Sequence, residues 1–160
     1  MLSIRAGKIS AALKPVSPDQ GIRDLSGMSD DKIAELKAGA EKEPIASFLN
    51  IRLVELNEGY ARVTMKILPE YQNFNGLTFG GIIVAIADQA FAYTMNSVAY
   101  PSLASQFNIH FLAAAKTGDE LTAEGRVVRS SRRVGVAEMT VTNQDGKLIA
   151  KATGTTIPVG

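Results

Sequence analysis

The sequence contains no cysteine and no tryptophan, and it has a single histidine, His110. Without cysteine the chain can form neither disulfides nor a thiolate nucleophile, and the redox compartment cannot be read from it. One histidine excludes metal sites built from several histidines. These absences remove disulfide, thiolate and multi-histidine metal chemistry from the candidate functions, and we expect neither a metal nor another cofactor.

An excess of charge is also lacking, since the formal net charge is +1. Such a chain has no global attraction to nucleic acid or to a membrane surface. The 160 residues, of which 46% are hydrophobic and 21% charged, are typical of one globular domain that is large enough for a real core. Any preference for an anionic ligand must therefore come from local clusters.

The most informative stretch runs from Asn73 to Tyr93. A polar loop with glycines passes through Gly80 and Gly81 into a run that is apolar on every side, which predicts a buried helix. Asp88 interrupts this run. Because a buried carboxylate is costly unless it is paired, hydrogen-bonded or functional, Asp88 is the first candidate for chemistry.

The same apolar run has roughly the length of a membrane-spanning helix. We reject that interpretation because Asp88, Gln89 and Asn96 would lie inside the hydrocarbon, where polar groups are expensive. Met1 to Ser10 lacks the continuous apolar core of a signal peptide. We expect a cytoplasmic protein without a membrane span.

Alternating patterns and turn residues predict the remaining elements. Residues 1–44 are predicted to form an N-terminal arm with a short helix that begins near Ser29 and stops at Pro44. Residues 45–160 are predicted to form the main domain, with two strands, the long helix and then four strands. Short connections favour a largely antiparallel α+β sheet wrapped around the buried helix. The predicted inward positions are Ala61, Val63, Met65, Ile67, Leu121, Ala123, Gly125, Val127, Ala137, Met139 and Val141, with Phe107, Ile109 and Phe111 on one side of the strand after the helix.

In element order and in several short motifs, residues 45 to 157 resemble hotdog-fold thioesterases of the phenylacetic-acid-degradation (PaaI) type. The motifs that carry the likeness are Asn73, Gly76, Gly80-Gly81, Ala87-Asp88, Ala90 to Tyr93, Asn96-Ser97, Ile109 to Phe111, Gly118-Asp119 and Leu121 to Ala123. The resemblance implies the hotdog fold and a homodimer, often paired into a tetramer. It also implies an active site made by Asn73 and Gly80 of one subunit and Asp88 of its neighbour.

Three positions depart from the pattern of that family. Phe79 and Asn75 stand where histidines are usual, and Ala104 stands where some members have a serine that holds the attacking water. Ser105 is adjacent, but in a regular strand its side chain would point to the other face. These departures question a histidine role and the positioning of water, while Gly80 and Asp88 are intact.

Thioester hydrolysis needs stabilisation of an oxyanion and an activated oxygen nucleophile. Gly80 and Gly81 lie where a helix begins, and backbone N–H groups there are unpaired and favour negative charge. Asp88 could act as a general base or as a nucleophile, and the sequence does not separate the two. The alternatives are two glycines that only permit a turn, and a structural Asp88 that is satisfied by backbone donors or by a residue such as Gln89 or Tyr93. Asn73 could donate its amide or serve the turn alone.

A basic cluster at the connection between two late strands could bind the phosphates of coenzyme A. It contains Arg129, Arg132 and Arg133, and guanidinium groups suit phosphate. A solvated basic turn explains each of these residues equally well. Aromatic stacking partners are absent from the cluster, so we expect no nucleic acid partner.

The leading hypothesis is an acyl-CoA thioesterase that acts on an acyl- or aryl-acyl-CoA, with substrate contacts from Gly81, Asn75, Phe79, Ser105, Arg129 and Arg132. The alternative is a non-catalytic hotdog protein that binds acyl-CoA or an acyl-carrier thioester, which the apolar Phe79 and Ala104 motivate. A hotdog dehydratase fits less well, because His110 lies on a strand instead of at the entrance to the helix.

Overall fold

The structure is a computed structural model, and it describes residues 30 to 159. The predicted arm over residues 1 to 28 and the predicted cap at Ser29 lie outside the described residues. Two short helices come first, and one long helix separates two strands from four. The elements are α1 (Asp30–Ala40), α2 (Pro44–Leu49), β1 (Arg52–Asn57), β2 (Tyr60–Lys66), α3 (Gly80–Asn96), β3 (Ser102–Phe111), β4 (Glu120–Ser130), β5 (Gly135–Thr142) and β6 (Leu148–Pro158).

The six strands form one sheet with the order β1-β2-β4-β5-β6-β3. All five neighbouring pairs are antiparallel. α3 packs against this sheet, so the predicted α+β architecture of a sheet around one long helix is confirmed. β3 runs back along α3, because the Ser102 N–H donates to Oδ1 of Asn96 at 2.9 Å and Phe107 contacts Phe91.

The core lies between α3 and the inward residues of the strands. Alternation in β2, β4 and β5 places the predicted apolar side chains on the face that α3 covers. All the predicted inward positions of these strands are buried except Val127, which is half-buried. β3 is covered less than predicted: Phe107 and Ile109 are half-buried and Phe111 is 53% exposed, because β3 is an edge strand that pairs only with β6.

The α3 helix is not buried on all sides, which differs from the prediction. Its inner face is buried, but a row of residues at helical spacing faces away from the sheet. This outer stripe consists of Gly81, Val84, Ala85, Asp88 and Ala92, of which Gly81 and Asp88 are exposed and the others half-buried. The sheet covers one side of the helix only, so within residues 30–159 the outer stripe is left partly open, with Asp88 exposed.

Three glycines in neighbouring strands let α3 approach the sheet closely. A methyl group on Gly125 would overlap Thr94, and one on Gly135 would overlap Met95. On Gly154 it would lie 2.5 Å from the Phe91 ring, which is nearer than real Cβ contacts come. The backbone of three adjacent strands therefore forms the surface against which α3 lies.

We expect Gly154→Ala to lower the free energy of unfolding by about 1–3 kcal/mol, because the added methyl overpacks the core against a buried ring. Urea denaturation of the purified protein measures the change. Gly39→Ala in α1 is the matched control, since nothing lies within 4 Å of its added methyl. That control should raise stability by about 0.5–1 kcal/mol, because glycine is unfavourable inside a helix. An unchanged unfolding midpoint for Gly154→Ala would contradict the close packing.

The segment before β1 contains a helix that the sequence did not predict. α1 ends at Ala40, before Pro44 as expected, but Pro44 also begins α2. Proline is well suited to the first turn of a helix because it needs no acceptor there. α2 ends at Leu49 and is followed by its cap Asn50, which adopts a left-handed conformation with φ of 54°. The helix contributes the buried Ala46 and Leu49 to the core.

Within residues 30–159, no helix is long and apolar enough to cross a membrane.

Candidate active site

The loop before α3 is held in shape by Asn73. The side-chain oxygen Oδ1 of Asn73 accepts hydrogen bonds from the backbone N–H groups of Asn75 at 2.9 Å and Leu77 at 3.2 Å. The backbone of Asn73 donates to Leu77 at 2.7 Å, and Gly76 has a φ of 72° that favours glycine. Because the oxygen is engaged in the turn, Nδ2 is the end of the Asn73 amide that remains to bind another group.

The end of this loop is tied to other parts of the fold. The buried Thr78 donates from its hydroxyl to the carbonyl of Ala115 at 2.8 Å. The Phe79 N–H donates to the carbonyl of Tyr71 at 2.7 Å. These bonds fix the position from which α3 begins.

At the start of α3, two backbone donors are left without an internal partner. Phe79 is extended, with φ of −61° and ψ of 128°, and it provides no side-chain cap. Its carbonyl accepts the N–H of Ile82 at 2.9 Å, but within residues 30–159 no acceptor pairs with the N–H of Gly80 or Gly81. These donors are directed away from the 17-residue helix at its positive end, where an anion is favoured.

Two phenyl rings pack against these glycines. The Phe79 ring lies over Gly81, where an added methyl group would overlap it. The Phe111 ring, from the end of β3, lies 3.4 Å from the position of a methyl on Gly80. The free donors are therefore flanked by aromatic carbon.

Asp88 lies on the outer stripe of α3 and is unpaired. Within residues 30–159, its carboxylate accepts no hydrogen bond and forms no ion pair. Although the side chain is exposed in the single chain, neighbouring protein atoms partly desolvate it, and this burial raises the pKa of the Asp88 carboxyl. The interpretation of Asp88 as a structural residue bonded to Gln89 or Tyr93 is wrong.

Gln89 and Tyr93 bind a different carboxylate, Glu43. Nε2 of Gln89 donates to Oε2 of Glu43 at 2.8 Å, and the Tyr93 hydroxyl donates to the same oxygen at 2.6 Å. The pKa of Tyr93 is raised far above its ordinary value. Burial is the largest cause, and the hydrogen bond to Glu43 is the next. This cluster joins the segment before α2 to the middle of α3, and nothing in the local sequence of Glu43 signals it.

The free donors and the carboxylate are separated along α3. Asp88 lies eight residues after Gly80. At roughly 1.5 Å per residue, this is about 12 Å along the helix axis. A catalytic group must reach its substrate atom at hydrogen-bond distance, so one chain does not bring Asp88 to a carbonyl that is held by Gly80.

Comparison with known proteins identifies the family. A family model described as the thioesterase superfamily matches residues 75–150. The acyl-coenzyme A thioesterase PaaI of Escherichia coli K12 is 33% identical over 120 residues, which are 75% of this chain and 86% of that protein. The chain belongs to the thioesterase superfamily.

Solved structures agree with this thioesterase in fold. The E. coli PaaI protein from the phenylacetic acid degradation operon matches with a TM-score of 0.75 and 33% identity, and the match covers 79% of this chain and 94% of that one. The protein smu.793 from Streptococcus mutans UA159, in a structure bound to acetyl CoA, matches with a TM-score of 0.68 and 33% identity over 71% and 91% of the two chains. The predicted resemblance to PaaI-type thioesterases and the hotdog fold are confirmed.

Some predicted site residues of this thioesterase lie together at the loop and the start of α3. They are Asn73, Asn75, Phe79, Gly80 and Gly81. Asn75 is exposed on the turn that Asn73 holds, and Phe79 is 57% exposed. Their roles in binding or catalysis stay predictions.

The other predicted contacts lie away from this group within one chain. Ser105 is the extra residue of a bulge in β3, where the pairing with β6 shifts between Ala104 and Gln106. The strand is therefore irregular there, and the Ser105 hydroxyl donates to the carbonyl of Thr155 at 3.1 Å. A role for Ser105 in substrate binding also stays a prediction.

Arg129 and Arg132 lie near the opposite end of α3 from Gly80. Gly135, at the start of β5, contacts Met95 near the end of the helix, and Arg129 faces the same end of the sheet. Fifteen residues at roughly 1.5 Å each place Met95 about 22 Å from Gly80 along the axis. Both arginines are exposed.

No group of three or more His, Asp or Glu side chains that could hold a metal ion occurs in residues 30–159.

Proposed function

We propose that this thioesterase hydrolyses acyl-coenzyme A esters to the free acid and coenzyme A. The observation that carries the proposal is the presence of two kinds of free group on α3: the N–H donors of Gly80 and Gly81, and the lone carboxylate of Asp88. The first suits an oxyanion and the second suits an activated oxygen. Two relatives support the substrate class, since one is named an acyl-coenzyme A thioesterase and another was solved with acetyl CoA.

We propose that the functional unit is a homodimer or a pair of such dimers, and that it acts in the cytoplasm. Two surfaces support this arrangement. The outer stripe of α3 is apolar apart from Asp88, and one edge of the ten-residue strand β3 is unpaired within the described chain. Exposed strand edges are ready to pair with another chain. Pairing of β3 with its copy would continue the sheet and bring the two outer stripes together.

In such a dimer, the separation of about 12 Å between Gly80 and Asp88 of one chain does not prevent catalysis, because each site takes these two residues from different subunits. Asp88 of one subunit would face the loop and glycines of the other, which is the arrangement that the family resemblance implies. Gly80 N–H would hold the thioester oxygen, assisted by the free Nδ2 of Asn73. Arg129 and Arg132 would contact the phosphates of coenzyme A as exposed guanidinium groups.

Two routes to products are compatible with a carboxylate of raised pKa. As a general base, Asp88 takes a proton from water while the water oxygen bonds to the carbonyl carbon. The C–S bond then breaks, and the proton passes to the departing thiolate. As a nucleophile, Asp88 displaces the thiolate to form an anhydride, which a water molecule hydrolyses in a second step. In both routes the negative charge on the carbonyl oxygen is stabilised by the Gly80 N–H.

A non-catalytic protein that binds acyl-CoA is the second candidate. The apolar Phe79 beside the free donors and Ala104 on β3 favour it, because neither can position a water molecule. A panel of acyl-CoA esters distinguishes the candidates: binding without release of free thiol would favour the second.

A mixing experiment tests the shared site. Asp88→Asn chains and Gly80→Pro chains are each expected to be nearly inactive, but their coexpression should restore activity. Random association gives one intact combination of loop and acid for every four sites, so we expect about a quarter of the wild-type thiol release per chain. Recovery of no activity in oligomers shown to contain both chains would contradict a site shared between subunits.

A further inference from the structure

We propose that Phe79 determines which acyl groups this enzyme accepts, by selecting acyl chains that are apolar at the first carbons beyond the carbonyl and rejecting those that carry a hydroxyl on these carbons. The inference rests on the proposed acyl-CoA hydrolysis at the Gly80 donor. It goes further by naming the substrate class and the side chain that sets it.

The first support is the place of the Phe79 ring. It lies against the Cα of Gly81, in the space that a side chain on residue 81 would need. The ring therefore covers the outer stripe at the helix end that carries the free donors. With 57% of its surface exposed, it can also present a face to a bound ligand.

The second support is the convergence of another ring from a distant part of the chain. Phe111 ends β3 and packs against Gly80, 3.4 Å from the position of an added methyl. Phe111 is 53% exposed. Two phenyl groups from separate elements thus form apolar walls on both glycines of the donor pair.

The two phenyl rings predict a preference for apolar acyl groups over hydroxylated ones. A thioester whose oxygen bonds to the Gly80 N–H must place its first acyl carbons near the rings. Apolar carbons gain from contact with aromatic surface, whereas a hydroxyl loses its water and receives no hydrogen bond from a phenyl group. Apolar sites discriminate against one added hydroxyl by roughly 10- to 100-fold.

Butyryl-CoA and 3-hydroxybutyryl-CoA form a matched pair, because they differ by one hydroxyl on an otherwise identical chain. We expect the wild-type kcat/KM for butyryl-CoA to exceed that for 3-hydroxybutyryl-CoA by about tenfold or more. Phe79→His places a polar ring of similar shape at the same position and should reduce this ratio at least about fivefold. Phe79→Leu stays apolar and should keep the ratio within about twofold.

Phe74→His is the control for a change elsewhere on the same loop. Phe74 is 96% exposed and so packs against almost nothing in the chain, and its substitution should leave both kcat/KM values unchanged. Phe79→Gln repeats the polar substitution if Phe79→His fails to yield a folded oligomer. All variants are compared by thiol release and by their unfolding midpoints.

The outcomes separate this inference from the function on which it rests. A lower ratio in Phe79→His, with the ratio kept in Phe79→Leu and Phe74→His, supports the role of Phe79. Wild-type turnover with a ratio that Phe79→His leaves unchanged, or an equal loss for both esters, overturns the specificity role alone. No thiol release by the wild-type enzyme from any acyl-CoA overturns the proposed function, and the inference with it.

Discussion

Replacement of Asp88 by Asn should lower kcat for acyl-CoA hydrolysis by about 10²- to 10⁴-fold, the contribution typical of a positioned acid or base. Asn has nearly the same shape but can neither accept the proton from water nor attack the thioester carbon. Since no donor or cation within residues 30–159 binds the carboxylate, the substitution removes no stabilising contact from the described fold. The loss is therefore expected in catalysis and not in folding.

The raised pKa of Asp88 gives this variant a second signature. Burial disfavours the charged form, so the folded-state pKa lies above the ordinary value of 3.8. A group of this kind contributes stability below its unfolded-state pKa and loses that contribution as the pH rises through the folded-state pKa. At pH 7 Asp88→Asn should thus be as stable as the wild type or more stable. The difference should diminish as the pH falls to the ordinary Asp value.

Thiol release at saturating substrate measures the catalytic change, and urea denaturation at pH 7 and pH 3 measures stability. Asp31→Asn, an exposed position on α1, is the matched control and should retain wild-type turnover. Size-exclusion chromatography establishes that Asp88→Asn keeps the wild-type assembly. An Asp88→Asn enzyme with wild-type turnover would refute the role of this carboxylate.

The substitution Gly80→Pro should lower kcat by about 10²- to 10³-fold, because it deletes one backbone donor to the oxyanion. Proline removes an N–H that has no partner within the described chain, and it fits the first residue of a helix. The preceding residue must be extended, and Phe79 already is, with ψ of 128°. The substitution therefore tests the backbone N–H of Gly80 and should destabilise the helix only slightly.

Gly80→Ala separates the lost donor from the added bulk. Alanine keeps the N–H, and its methyl lies 3.4 Å from the Phe111 ring, which is ordinary contact or slightly tight. We expect a change of less than about tenfold in kcat, since the oxyanion donor remains. Equal losses in both variants would indicate crowding at Gly80, and full activity in Gly80→Pro would exclude its N–H as the donor.

Regular alternation made most of the fold predictable from the sequence. In β2, a buried residue at every second position from Ala61 to Met65 is possible only if one face meets the core, and the structure has that face buried. The glycine pair and the apolar run that follows placed α3 within a residue of its observed start. The alternation in β2 and the start of α3 are both visible in a short stretch of sequence, because each depends on residues that are neighbours along the chain.

What the sequence did not predict depends on distant residues. Glu43 binds Gln89, 46 residues later, and such a contact has no local pattern. The prediction that α3 is buried on all sides within one chain is wrong for the outer stripe, because composition indicates that a surface is apolar but not which molecule covers it. The ring of Phe111 meets the glycine pair only after β3 has returned along α3.

The glycines of β4, β5 and β6 have a consequence for how the enzyme can diversify. Because strand backbone lies directly against α3, the position of Asp88 is set by the close packing of this helix on the sheet. The loop from Asn73 to Phe79 is held at its end by hydrogen bonds from Thr78 to Ala115 and from Phe79 to Tyr71. Substitutions at Phe79 can thus alter the surface beside the Gly80 and Gly81 donors while Asp88 keeps its position on α3.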